Sequence, residues 1–130
     1  MPLTAGADAM PKSKVLLCED EYIVALDLQL LIEEFGFEVI GPFASVSNAM
    51  REIGETRPDM AVLDVSLKDG EVYPLADRLQ EMGVGLVFHS GHVNDHEIKT
   101  RYPQAECCLK PVHTSRLKAA LQQAAPLADC

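Results

Sequence analysis

Positive charge is scarce in this 130-residue chain: 11 lysines and arginines stand against 20 aspartates and glutamates, a formal net charge of −9. No basic run interrupts that excess, so binding to a polyphosphate backbone by counterion release is excluded as a main role and no direct nucleic-acid contact is expected. Long apolar runs are missing too. No stretch reaches the roughly 20 residues of a membrane span, and the first residues lack the charged and apolar regions of a secretory signal. Cysteine is sparse: Cys18, the adjacent Cys107 and Cys108, and Cys130 contain no Cys-x-x-Cys pair, which argues against a disulfide framework and a thiolate zinc centre. His89, His92 and His96 form a loose series with no thiolate at a fixed spacing and read as strand-end and surface histidines. The length suits one domain, and 48% hydrophobic residues can fill one core. A soluble cytoplasmic protein with no membrane association is expected.

What is present alternates regularly. Residues 1–13 carry Ala, Gly, Pro and charge without periodicity and read as a flexible leader. Val15-Leu16-Leu17-Cys18 is an apolar run too short for a helix and reads as a buried strand that ends in the acidic Glu19-Asp20-Glu21. From Tyr22 the period becomes helical, with Val24, Leu28, Leu31 and Phe35 on one face and Gly36 as the stop. Residues 38–42 predict a strand limited by Pro42. Ser45 or Ser47 then starts a helix with Ala49, Met50 and Ile53 inward, closed by Arg57-Pro58. Residues 60–63 form the next strand and run into Asp64, and a loop through Lys68-Asp69-Gly70 leads to a helix over 72–82 with Leu75 and Leu79 inside. A strand over 85–89, a short helix over 94–101, a strand over 106–109 and a closing helix marked by Leu117 and Leu121 complete the pattern, with residues 125–130 as a short tail.

Five strand–helix alternations with nearly unbroken apolar strands imply an α/β fold: a parallel sheet covered by helices on both faces. In such sheets ligands sit outside the carboxyl ends of the strands. Glu19 and Asp20 follow the first strand, Asp64 ends the third, Ser90 follows the fourth and Lys110 the fifth, so all five belong to one edge. Each alone has a plainer explanation, Glu19-Asp20-Glu21 as a helix N-terminus, Ser90 as a cap and Lys110 as a surface lysine. Together they point to chemistry. Three carboxylates at one edge repel one another unless a cation neutralises them, and Mg2+ suits oxygen ligands while keeping positions open for a phosphate. With Lys110 and the Ser90 hydroxyl near a phosphoryl group, Asp64 is the candidate nucleophile, giving an aspartyl phosphate.

These motifs, Cys18-Glu19-Asp20, Val62-Leu63-Asp64, His89-Ser90-Gly91 and Leu109-Lys110-Pro111, resemble in order and separation the receiver domain of bacterial two-component response regulators over about residues 14–124. The resemblance implies a flavodoxin-like receiver fold with sheet order 2-1-3-4-5 and a signalling protein that is not an enzyme acting on other substrates. It implies Asp64 as phosphoacceptor and Mg2+ held by Glu19, Asp20, Asp64 and the Ser66 backbone carbonyl. Ser90 and Lys110 would then respond to the phosphoryl group, and a histidine kinase or histidine phosphotransfer protein would donate it. Ser66 and His92 stand where the family tunes dephosphorylation. The chain departs from the family's pattern in its short loop with Lys68, in Cys107 where an aromatic residue is common, and in a short segment between Ser90 and Lys110. These features resemble the atypical stand-alone receivers of alphaproteobacteria. With only a few residues after the last helix, output is expected through a downstream protein target or phosphorelay, by displacement of residues 91–103 with Ile98 and Tyr102 changing exposure. Three rivals remain: an aspartyl phosphatase, which would want an Asp-x-Asp pattern where Ser66 stands; a flavodoxin-like cofactor binder, disfavoured by acid after the first strand; and a receiver-like interaction module working without phosphorylation.

Overall fold

The computed structural model describes residues 12–91 and 95–125. The proposed leader and tail lie almost wholly outside the described residues, as does His92. Strand β1 (Lys14–Cys18), helix α1 (Tyr22–Glu34), β2 (Glu38–Phe43), α2 (Val46–Ile53) and β3 (Met60–Asp64) come first. The short β4 (Ser66–Leu67) and β5 (Gly70–Glu71), α3 (Tyr73–Glu81), β6 (Gly85–Ser90), α4 (Asp95–Arg101), β7 (Glu106–Leu109) and α5 (Thr114–Ala124) follow. The main sheet is parallel with order β2-β1-β3-β6-β7, the 2-1-3-4-5 order once the β4–β5 hairpin is set aside. Among the described residues no helix is long and apolar enough to cross a membrane.

The side-chain period of two divides the core into two layers. Leu16, Cys18, Ala61, Leu63, Leu86 and Phe88 pack against α2, α3 and α4 through Ile53, Leu75, Leu79 and Ile98. Val15, Leu17, Met60, Val62 and Val87 pack against α1 and α5 through Leu28, Ile32, Leu117 and Leu121. Burial on both faces is why the three central strands read as unbroken apolar runs. The edge strand β2 admits Pro42 because the pairing with β1 shifts register between Leu16 and Cys18.

On α1 the expected face holds: Leu28 is buried and Val24, Leu31 and Phe35, partly buried, pack against the same layer, which Ile32 joins more deeply; Ala25 is buried as well. The helix also leaves Tyr22 (79%), Ile23 (78%), Leu26 (43%) and Leu30 (58%) exposed, an apolar outer face. Elsewhere several local expectations need correction. Helix α2 starts after Ser45, whose hydroxyl accepts from Asn48 N at 3.2 Å, and ends at Ile53 well before Arg57. Met50 faces outward and is exposed. Arg57 instead donates to the Met82 carbonyl. The stretch expected as a loop after Asp64 folds into the β4–β5 hairpin. At its turn, Asp69 accepts from Val46 N (2.7 Å) and Ser47 N (3.1 Å) and so caps α2 from across the chain.

Candidate functional site

Parallel register brings the carboxyl ends of β1, β3 and β6 side by side, with Cys18 beside Leu63 and Asp64 beside His89. Glu19 and Asp20 leave β1 there, Asp64 closes β3, Ser90 closes β6, and Lys110 follows β7 with its amide donating to the Ser90 carbonyl at 2.9 Å. Carboxylate oxygens of Glu19, Asp20 and Asp64 lie within 4.8 Å of one another. Glu19 and Asp64 are buried, and Asp20 is half-buried.

The carboxylates do not simply repel one another. Lys110 Nζ reaches Asp64 Oδ2 at 3.0 Å and Glu19 Oε1 at 3.1 Å. Backbone amides take the other oxygens: Glu21 N donates to Glu19 Oε2 at 3.0 Å and Ser66 N to Asp64 Oδ1 at 3.3 Å. One ammonium thus stands between two of the three acids and offsets part of the repulsion expected among them. Burial pulls the Lys110 ammonium's pKa down, but its contacts with Asp64 and Glu19 outweigh that and hold it above its ordinary value, so it stays charged. Burial pushes the Glu19 carboxyl up to about 7, with the Glu21 amide and Lys110 pulling the other way.

Those contacts leave a polar deficit. Lys110 meets Glu19 Oε1 as an ion pair rather than along a hydrogen-bond direction, and that oxygen is buried without a hydrogen-bond partner. Three acids against one lysine also leave excess negative charge, and oxygen-only donors at this separation are the donor set that Mg2+ prefers. The residues present fit a hard divalent cation.

On the other side of Asp64, Ser66, Ser90, Tyr73 and Ile98 share with it a cavity of about 360 Å³. Ser66 is exposed and Ser90 half-buried. Tyr73 links this cavity to α4: its ring stacks on Tyr102 with centroids 6.2 Å apart and lies 4.3 Å beneath the Arg101 guanidinium. Tyr102 and Ile98 are core residues, 1% and 2% exposed. The Tyr102 hydroxyl donates to Asp77 Oδ1 at 2.6 Å.

Sequence reasoning missed His89. It read as a strand-end histidine, yet it is 0% exposed, both ring nitrogens lack a hydrogen-bond partner, and Nε2 stands 3.6 Å from Glu19 Oε1. Burial, reinforced by Lys110, lowers its pKa to about 4, so the ring is neutral. The signal was its place two residues after Val87, on the inward parity of a buried strand.

The family model for the response regulator receiver domain matches residues 15–122. The phyllosphere-induced regulator PhyR of Methylorubrum extorquens is 28% identical over 115 residues, covering 86% of this chain and 43% of that protein. A structure of the PhyR stress response regulator superposes with a TM-score of 0.74 at 27% identity, covering 93% of this chain and 48% of that one. A receiver protein from Sinorhizobium medicae gives a TM-score of 0.79 at 23% identity over 87% and 94% of the two chains, a likeness of fold. The chain spans less than half the length of the PhyR chains it matches. Carrying that match over nearly all its described elements, the chain belongs to the response regulator receiver domains of two-component signalling.

Proposed function

We propose that Asp64 accepts a phosphoryl group from a phosphohistidine of a kinase or phosphotransfer protein, in a Mg2+-dependent reaction, and that the phosphorylated chain signals to a downstream protein. The observation that carries this is the bridging of Lys110 between Asp64 (3.0 Å) and Glu19 (3.1 Å) inside the cluster that Asp20 completes. An Asp64 carboxylate oxygen forms the new bond to phosphorus as the donor's P–N bond breaks, and the imidazole takes its electron pair. Lys110 follows the transferred charge, and Ser90, which lines the same cavity as Asp64 and Ser66, supplies the hydroxyl that would meet a phosphoryl oxygen. Glu19, Asp20, Asp64 and the Ser66 backbone carbonyl would hold Mg2+, which when bound supplies neutralising charge for the phosphoryl oxygens.

One surface and one internal contact support a protein rather than a small-molecule exchange. The exposed apolar face of α1 at Tyr22, Ile23 and Leu26 starts beside the acidic edge, and suits a helical donor. The Tyr73–Tyr102 stack supplies a mechanical link from the cavity to α4, through which residues 91–103 would shift. Cys107, partly buried in the α4-side core, is too small to act as a swinging aromatic.

Incubation with acetyl phosphate and Mg2+ should add one phosphoryl mass, labile to hydroxylamine and absent in Asp64→Ala. Persistence of that mass in the variant would remove Asp64 from its role.

A further inference from the structure

Glu19 is the most buried of the three acids, and only one of its oxygens is firmly held. Oε2 accepts from the Glu21 amide, whereas Oε1 has the unaligned Lys110 ammonium at 3.1 Å and His89 Nε2 at 3.6 Å. A phosphoryl group on Asp64 adds up to about two negative charges. These lie on the open side of Asp64 and attract Nζ outward. A shift of Nζ toward the cavity that Asp64 shares with Ser66 and Ser90, whose lining does not include Glu19, would lengthen its contact with Glu19. A buried carboxylate oxygen that loses the only cation beside it is left without compensation for its lost hydration. Among the described residues, the polar atom placed to replace Lys110 is the His89 ring nitrogen. It belongs to a neutral ring that must keep one N–H; neither ring nitrogen makes an aligned hydrogen bond, and the Cys18 backbone carbonyl is the other acceptor that acts on the ring. The shift from 3.6 Å to ordinary hydrogen-bond length is about 0.7 Å.

We propose that His89 is a positioning residue that donates from Nε2 to Glu19 Oε1 when Lys110 turns to the phosphoryl group, keeping Glu19 aimed at the metal in the phosphorylated state. The inference rests on Asp64 being the phosphoacceptor. It also accounts for a buried imidazole at a strand position whose neighbours of the same parity, Val87 and Val62, are apolar.

The test compares the chain with and without the phosphoryl mimic beryllofluoride. In the ¹⁵N-labelled wild type, the His89 ring should be the Nε2–H tautomer, and its N–H proton should move downfield when beryllofluoride and Mg2+ bind. His89→Phe keeps the ring shape without the donor. It should weaken Mg2+ binding about tenfold in the beryllofluoride state and less than about twofold in the unmodified state. His89→Gln, which restores an N–H at similar reach, should recover most of the loss. A purely structural role would shift the melting temperature of both variants without separating the two Mg2+ affinities. Equal Mg2+ affinity of wild type and His89→Phe with beryllofluoride overturns the proposal, as does a His89 ring signal unmoved by the mimic. Those results leave phosphorylation of Asp64 standing. A wild-type chain that takes neither acetyl phosphate nor beryllofluoride overturns both readings.

Discussion

The carboxyl edge of the sheet and the corner between α3 and α4 each hide a polar side chain, and they treat it in opposite ways. At the corner, Tyr102 is 1% exposed and satisfied: its hydroxyl donates to Asp77, its ring packs on Phe88 at 5.2 Å and on Tyr73, and Arg101 lies over it at 5.6 Å. At the edge, Glu19 is 2% exposed, yet one of its oxygens and both His89 nitrogens lack hydrogen bonds. Proteins rarely leave buried polar atoms unpaired, and the exceptions gather where binding supplies the missing partner. The corner is therefore finished as it stands, whereas the edge keeps the unpaired polar atoms that the proposed phosphoryl and Mg2+ chemistry would use.

Breaking the edge should have the larger effect. Lys110→Ala leaves Glu19 and Asp64 without their shared cation, and in metal-free buffer at neutral pH it should cost about 2–3 kcal/mol, seen as a lower urea midpoint. The same variant should bind Mg2+ more tightly than wild type, because the site loses a competing positive charge. Weaker binding would show that Lys110 helps to shape the cation site instead of filling in for it.

Next in size is the pH response of the edge. The Glu19 pKa is raised from 4.5 to about 7, so its favourable protonation is fully present below pH 4.5 and is lost as pH rises through 7. His89 is lowered from 6.5 to about 4, so its contribution is present above pH 6.5 and is lost as pH falls through 4. The two oppose each other in wild type. Glu19→Gln removes the first: metal-free stability should exceed wild type above pH 7, by on the order of 1–3 kcal/mol, and the gain should vanish near pH 4.5. Melting curves across that range decide it, and a gain that grows toward acid would contradict the burial of the Glu19 charge.

The smallest effect should come from the corner. Tyr102→Phe removes one buried hydroxyl bond and should lower stability by about 1 kcal/mol, leaving Mg2+ affinity of the unmodified chain unchanged in titration. A change in that affinity would mean that the corner and the edge are coupled even before phosphorylation.

Much of this arrangement was visible in the residue order, and the reasons differ by residue. The strands β1, β3 and β6 announce themselves because burial on both faces demands apolar runs, and Glu19, Asp20 and Asp64 stand out because charge follows each run at once. Met50 misled because an apolar residue on a short helix need not face the sheet, and it lies exposed beside the buried Ala49. The capping of α2 by Asp69 was invisible since its partners lie 22 and 23 residues away.

The sequence by itself determined the alternation of strands and helices, the parallel sheet, and which polar residues stand at its carboxyl edge, because each follows from patterns within about ten neighbouring residues. Only the tertiary structure decided what those residues touch. Lys110 meets Asp64 across 46 positions of chain, and His89 lies buried beside Glu19 because β6 pairs with β3 in one register. Strand pairing chooses such partners, and a shift of one residue would turn His89 to the other face of the sheet and leave Glu19 without it.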